Sequence, residues 1–554
     1  MGAKKFVRIF ILSLILICSG FYFNVNAQDV RVAISNQNMS NFAYTDITVF
    51  ALSKVDVYNS VTGEKIFSTD KDKDIQITLK DNIFKIQSED LKKPFELEND
   101  IIVNSPTGLL GVKNLKRAGQ QAFYRGSFKI TKSTSKKDIF YLVNVIDVEE
   151  YLRGVVPNEM PCYFGLQALK AQAVAARNYA LSPRTKAYSE FDLSDTVASQ
   201  VYYGANTEKA LSNQAIAETD GIVALYDWDL ILAQYSSTAG GYTEYYDNVY
   251  GDGKKLTKPY LAAVPDNKSQ KPLKTQEDVK EFYSTKPDDT YDVKSPYYRW
   301  QREWSKDELE DVLIKNITKS ANLWAVIPEN KDVDNPKNLK DITIKKHGKS
   351  GKILELEIEF ENNKYTVSKE LVIRRIFTKD GKALPSANVY FEKEYDNGFF
   401  TNKKLSKITA YGGGFGHGVG MSQWGAGYMA TELKMPYSKI LKHYYTDISL
   451  ATIPVIISND DEQKIVSQKF YASQKSARLV INNKFEVGKI LVKINDKEVL
   501  ILLERHMLPA HKYDAVDISK YIKKGENEIT FYYPEGEGNN KAVRLYVELT
   551  GEDE

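Results

Sequence analysis

Glu159 has the sequence surroundings of a mounted acid. It lies in residues 155–181, VVPNEMPCYFGLQALKAQAVAARNYAL, in a turn bracketed by Pro157 and Pro161. A small-residue helix carrying Lys170, Gln172 and Arg177 follows at once. A carboxylic acid can protonate a departing glycosidic oxygen when burial beside apolar groups raises its pKa towards neutrality. Val155, Val156, Met160, Tyr163 and Phe164 are the candidate walls. A glutamate near a helix N-terminus also serves by complementing the dipole, with no chemistry at all. The residues alone leave both readings open.

A second constellation is AYGGGFGHGVGMSQWGAGYMA, residues 410–430. Gly412, Gly413, Gly414, Gly416, Gly418 and Gly420 permit positive φ and close approach of a ligand or a second chain segment. The segment lacks the Gly-Lys-Ser/Thr ending of a phosphate loop, so nucleotide binding is unsupported. His417, Ser422 and Gln423 suit sugar hydroxyls and Trp424 suits stacking on a sugar ring; a tightly wound connection with a buried, hydrogen-bonded His is the alternative. DLSDTVASQVY (192–202) and YSSTAGGYT (235–243) are polar, small-residue segments beside strands. Each is a groove lining or a plain turn.

The elements that must carry these groups read as α+β. Residues 28–135 alternate apolar and polar residues in short runs (30–34, 47–52, 55–58, 75–79, 83–86, 128–130), a β-rich pattern. Residues 139–145 are one more strand, leading into a helical turn at 147–152. Leu166, Leu169, Ala173, Ala176 and Ala180 predict a helix over 165–181 with one packing face, and Lys170 and Arg177 share another. Strands are expected at 200–203, 222–226, 230–235 and through 340–377, and helices at 207–219, 305–320 and 437–445. Ser305 with Glu308 three residues on is a capping-box pattern. Residues 267–294 read as loop or mixed insertion. Beyond 455 the chain is short strands and polar turns, a separate all-β sandwich.

The 554 residues imply several domains, and 42% hydrophobic content is enough to give them cores. Lys4, Lys5 and Arg8 precede an apolar run at 9–23, and Val25-Asn26-Ala27 offers a cleavage site. Residues 1–27 are therefore expected to be a signal peptide or an uncleaved N-terminal anchor. The expectation is an exported protein of the cell envelope or exterior, touching a membrane only through that segment. Its removal takes the net charge from +2 to −1, which gives no support for nucleic-acid binding. It also removes Cys18 and leaves Cys162 alone, so neither a disulfide nor a Cys-based zinc cluster is expected.

EEYLRGVVPNEMP with ALKAQAVAARNYAL, then SQVYYG, YSSTAGGYT and GHGVGMSQWGAGYMA, resembles the stage II sporulation protein D family (SpoIID/LytB domain). The match runs from about residue 28 to 450, with the motifs in family order. The resemblance implies a peptidoglycan lytic transglycosylase acting on glycan strands stripped of stem peptides, with Glu159 as its acid and no cofactor. It divides the chain into 28–135, a β-rich N-terminal part; 136–454, the catalytic region; and 455–554, the sandwich. Lys170, Gln172, Arg177, Gln200, Ser237, Gly240, Gly241, His417, Ser422 and Gln423 are the substrate-groove candidates it implies. Some members bind zinc through Cys-Asp-Thr-x-His-Cys-Gln; here Ser194, Ala198 and Ser199 stand at those positions and cannot replace thiolate and imidazole, so no metal is expected. Asp517-Ile518-Ser519 and KKGENEITF (523–531) resemble the closing strands of a galactose-binding-like jelly roll. Two rival functions remain: a non-catalytic activator of a cell-wall amidase, and a wall-binding structural protein.

Overall fold

The computed structural model describes residues 29–106, 108–182, 188–269, 272–331, 335–396, 404–452, 455–457, 465–472, 476–482, 489–502, 513–532 and 543–549. The signal-peptide or anchor segment lies outside them. Among the described residues no helix is long and apolar enough to cross a membrane. The chain is an α+β protein with many separate sheets.

One compact unit comprises residues 29–146 and 188–194. Its expected strands are present, and the alternation that marks them places one face inside: Ile75–Lys80 buries Ile75, Ile77 and Leu79, and Ile83–Ser88 buries Phe84 and Ile86. The strands form an eight-stranded and a six-stranded sheet, and Phe84 of one meets Phe140 of the other edge-on at 5.7 Å. Phe140–Asp147 pairs along its length with Ser127–Lys132, so it belongs to this unit. Leu193–Ser194 returns to pair in parallel with the first strand, beside an ion pair of Arg31 with Asp192.

The second unit holds residues 147–182 and everything from 195 onwards. Its centre is the helix Leu166–Leu181, and here the structure corrects the amphipathic reading. Ala168, Leu169 and the whole run from Ala171 to Asn178 are buried, Gln172 and Arg177 included. A helix covered on nearly every side is a core element. Its alanines let neighbours come close: Val148–Arg153, Ala210–Ala217, Gln423–Thr431 and Tyr437–Tyr444 all pack on it. The small sheet of Ile222–Tyr226, Asp229–Leu230 and Ser449–Thr452 covers it too, and the Asn178 amide ties the two together by donating to the Ala224 carbonyl at 2.6 Å.

A mixed module follows in the same unit. Trp300–Ser305, Lys404–Gly412 and Val389–Asp396 form one antiparallel sheet, and Leu339–His347, Ile353–Phe360, Lys364–Ser368 and Val326–Pro328 another. Helices Lys306–Ile317 and Glu370–Ile376 close over a common core that includes Trp304, Leu309, Leu313, Ile358 and Ile373. Residues 370–376 were expected as strand. ELVIRRI is apolar enough for either state, and burial of Val372, Ile373 and Ile376 on one helical face decides it. Residues 267–294 hold a helix, Gln276–Ser284, opened by a reciprocal Thr275–Asp278 capping box. At Ser305 only half the expected box forms, because Glu308 pairs with Lys379 instead.

The strands from Val455–Ile457 to Val543–Leu549 make two four-stranded antiparallel sheets around Phe470, Leu479, Ile481, Val492, Ile529 and Phe531. Asn527, in the middle of KKGENEITF, is buried and hydrogen-bonds its own turn at Lys523 and Gly525.

Trp304 is fully buried and donates its indole N–H to the Thr378 carbonyl at 2.9 Å. Trp304→Ala is expected to destabilise this unit by about 3–5 kcal/mol, read as a lowered urea midpoint. A change under about 1 kcal/mol would contradict the described core.

Candidate active site

Glu159 ends a one-turn helix, Val156–Glu159, that begins at a Pro-compatible first turn. The turn is pinned by the Asn158 amide, which donates to the Gly154 carbonyl and the Thr207 hydroxyl, both at 2.7 Å. Val155, Val156, Met160 and Phe164 are buried around it, as expected of walls, whereas Tyr163 is 70% exposed.

The Glu159 residue keeps partial exposure, while its carboxyl is surrounded by protein. Glu159 Oε1 accepts the Val201 N–H at 2.7 Å. Burial pushes the acid up to about 7, and the Val201 N–H and the Gln423 side chain pull weakly the other way. No charged neighbour contributes among the described residues. Residues 200–203 were expected as strand. They are irregular backbone instead, which leaves the Val201 N–H free of any ladder and available to the carboxyl.

The glutamines converge here. Gln423 Nε2 also faces Gln172 Oε1 at 3.4 Å. Gln172 Nε2 is buried without a protein partner among the described residues. Gln200 is fully buried, accepts from the Tyr151 hydroxyl at 3.2 Å and donates to the Tyr235 hydroxyl at 2.9 Å. Tyr235 is the residue that sequence reasoning passed over. Its hydroxyl is held well above its usual pKa by burial first and then by the nearby Glu159 carboxylate. Its motif, YSSTAGGYT, was the available signal, but Ser237, Gly240 and Gly241 drew the attention.

Several groove candidates have other work. Arg177 is fully buried, forks onto Glu149 with two bonds of 2.6 Å and donates to the Ile222 carbonyl. It is a structural ion pair and reaches no groove. Lys170 is bound to Glu218 at 2.6 Å and lies over the Tyr437 ring. Ser422 is fully buried, caps Gln423–Thr431 by accepting the Gly425 N–H, and also takes the Ala239 N–H. Ser237 is half-buried against Thr238, and its carbonyl holds the Trp424 N–H.

His417 takes the structural alternative. Nδ1 accepts the Val419 N–H at 3.0 Å, and the ring also bonds the Tyr235 carbonyl. Desolvation and the Lys352 cation push it down to about 3, so it is neutral at ordinary pH.

The glycines explain how these segments meet. Tyr235–Ser236 pairs in parallel with Met421–Ser422, and Thr238 bridges Phe415. Gly414, Gly416, Gly418 and Gly420 have positive φ, whereas Gly412 and Gly413 do not. Gly240 has φ +79°, and a Cβ there would stand 2.6 Å from the Gly413 carbonyl carbon. Gly240 and Gly241 are thus loop-crossing residues. The Gly240 N–H is satisfied by buried Asp292 at 2.6 Å. Nearby Asp266 accepts from Tyr444, and burial pushes its carboxyl up, with the Asp292 charge adding to the effect.

The zinc-motif positions are occupied by a turn. The Thr196 hydroxyl accepts the Ala198 N–H and the Thr196 carbonyl accepts the Ser199 N–H, while Ser194 lies in the strand paired with Ala33.

The raised acid sets a stability prediction. Because the folded-state value exceeds the ordinary 4.5, the stability that the neutral carboxyl contributes is complete below about pH 4.5 and is lost as pH rises through about 7. Glu159→Gln is therefore expected to match the native chain at pH 4 and to exceed it by roughly 3 kcal/mol at pH 8. Denaturation midpoints at the two pH values measure this, and an equal gain at both would refute it.

Two family profiles match the second unit and its approach: "Stage II sporulation protein" over residues 136–226, and a domain of unknown function, DUF8618, over 246–420. The chain is 33% identical over 309 residues to the "Amidase enhancer" of Bacillus subtilis (strain 168), a match that takes in 54% of this chain and only 40% of that protein. It is 29% identical to the "Stage II sporulation protein D" of the same organism over 56% of this chain and 76% of that one. The protein of that name from Bacillus amyloliquefaciens is 30% identical, across 57% of this chain and 77% of its own length. With that coverage, and with Glu159 and the interleaved glycine loops in place, this chain belongs to the stage II sporulation protein D family.

Proposed function

We propose that the protein is a lytic transglycosylase of peptidoglycan, cleaving the bond between N-acetylmuramic acid and N-acetylglucosamine in peptide-stripped glycan strands. The observation that carries this reading is the carboxyl of partly exposed Glu159, raised to about 7 by burial alone, with no second carboxylate contributing among the described residues. Such a group is half protonated at neutral pH and can serve as acid and then as base. Two-carboxylate glycosidases need a partner acid; a single-carboxylate cycle does not.

In the first step Glu159 gives its proton to the glycosidic oxygen as the bond from muramyl C1 to that oxygen breaks. In the second the carboxylate takes the proton of the muramyl 6-hydroxyl while that oxygen attacks C1. A 1,6-anhydro end forms, the acid is regenerated, and no water is consumed. The Gln423 amide and the Val201 N–H hold the carboxyl in place through both steps. The Tyr235 hydroxyl, fixed by Gln200, stays neutral beside it.

The name of the amidase enhancer favours a second reading, a non-catalytic activator of a cell-wall amidase. A wall-binding structural role through the C-terminal sheets is the third.

Incubation of the purified chain with peptide-free glycan strands, followed by mass spectrometry, separates them. The expected products are 1,6-anhydromuramyl ends, absent with Glu159→Gln, at a rate that falls as pH rises above about 7. Hydrolysed reducing ends would keep an enzyme but refute this mechanism. Absence of products together with acceleration of an amidase would replace the enzyme with the activator.

A further inference from the structure

The segment that follows the Glu159 turn carries an aromatic cluster whose outer ring, Tyr163, is uncovered. Phe164 is buried, and two rings meet its edge or face: Tyr163 at 5.0 Å and 87°, and Trp424 at 4.9 Å and 65°. Tyr163 and Trp424 also meet each other at 6.4 Å. Tyr163 is 70% exposed and Trp424 remains partly exposed. Tyr163 is not a ring scattered singly: it is continuous with the partly exposed Trp424 through Phe164, and a contiguous aromatic surface of this kind can take an occupant.

The shelf is built rigidly. Phe164 sits against the helix Gln423–Thr431 where Gly427 leaves room; a Cβ there would lie 2.7 Å from the Phe164 ring. The Trp424 backbone N–H is bound by the Ser237 carbonyl at 3.0 Å. Tyr163 lies in the one-turn Cys162–Phe164 segment directly after the turn that presents Glu159. Trp424 directly follows Gln423, whose amide holds the Glu159 carboxyl. The same two elements therefore place the acid and the rings together.

We infer that Tyr163 and Trp424, on their Phe164 pedestal, form a stacking subsite for one pyranose ring of the glycan strand next to the bond that Glu159 cleaves. This rests on the transglycosylase reading for its position in the reaction. A pyranose presents a face of C–H groups that matches the electron-rich face of an aromatic ring, and its rim of hydroxyls stays in water. A flexible peptide would bring no such flat face. The proximity to Glu159 also selects a glycan over a protein partner, because any acid that works on a glycosidic oxygen has a sugar ring on each side of it.

Binding and turnover are measured separately to test this. Glu159→Gln protein, intact but unable to turn over, is titrated with peptide-free glycan strands, and the same background is tested with Tyr163→Ala and Tyr163→Phe. Because Tyr163 is exposed, loss of its ring leaves the fold intact, which thermal denaturation checks. The expected result is roughly tenfold weaker binding with alanine and near-native binding with phenylalanine, the size of one buried ring face. In the active chain Tyr163→Ala is expected to raise KM for the strands while leaving the pH dependence of kcat in place. Unchanged glycan binding with alanine overturns the subsite. So does a loss of amidase stimulation with glycan binding untouched, which would make the shelf a protein-docking surface. Lost glycan binding in a chain that yields no anhydro ends supports the subsite and refutes only the transglycosylase reading.

Discussion

Everything around the candidate site depends on keeping one carboxyl group partly out of water. Desolvating a carboxylate is costly unless it is paired or protonated. Among the described residues there is no pairing cation, only an amide N–H and a side-chain amide, so the protonated form gains ground. The groups that achieve this come from separate stretches of chain: a one-turn helix, an irregular segment after residue 199, and the start of the helix Gln423–Thr431. The interleaved loops 235–243 and 412–422 hold these stretches in register. Gly240, Gly414 and Gly420 are spacing devices for backbone against backbone.

The same unit handles its other buried charges differently. Arg177 has a carboxylate fork and a carbonyl, so its charge is fully answered. Asp266 and Asp292 are fully buried and only partly answered, by a tyrosine hydroxyl and a backbone N–H, and burial pushes both carboxyls up. Glu244 is saturated by Ser350, Tyr245 and Asn248. Against that background Glu159 differs from Asp266 and Asp292 in keeping partial exposure and in having no charged neighbour among the described residues that shifts it. A buried polar network that is fully satisfied rigidifies a core, and one left short of a counter-charge is poised to exchange a proton.

How much of this the sequence reveals depends on the range of the interaction. The helix Leu166–Leu181, the alternating strands of the first unit and the change of character after 455 follow from local periodicity. So do Glu159's apolar neighbours, since Val155, Val156, Met160 and Phe164 are local to it. The partners of Lys170 and Arg177 are not local. Spacing put both cations on one face but could not say that Glu218 and Glu149 cover that face. His417 and Ser422 sit in a motif with the look of a ligand site, yet their bonds go to Val419, Tyr235, Gly425 and Ala239, which is the labour of holding two loops together. Tyr235 escaped notice because its meaning comes only from Gln200 and Glu159, both far away in the chain.

The bond from the Val201 N–H to Oε1 has one more consequence. An oxygen that receives an N–H is engaged as an acceptor, so this bond by itself favours the acid's proton on the other oxygen, Oε2. The two oxygens of a symmetric group are thereby made unequal: one is an anchor and the other a working atom. On the proposed reaction, the oxygen that releases the proton is the oxygen that recovers it. The cycle then closes with no rotation of the side chain, because the anchored oxygen never has to trade places with the working one.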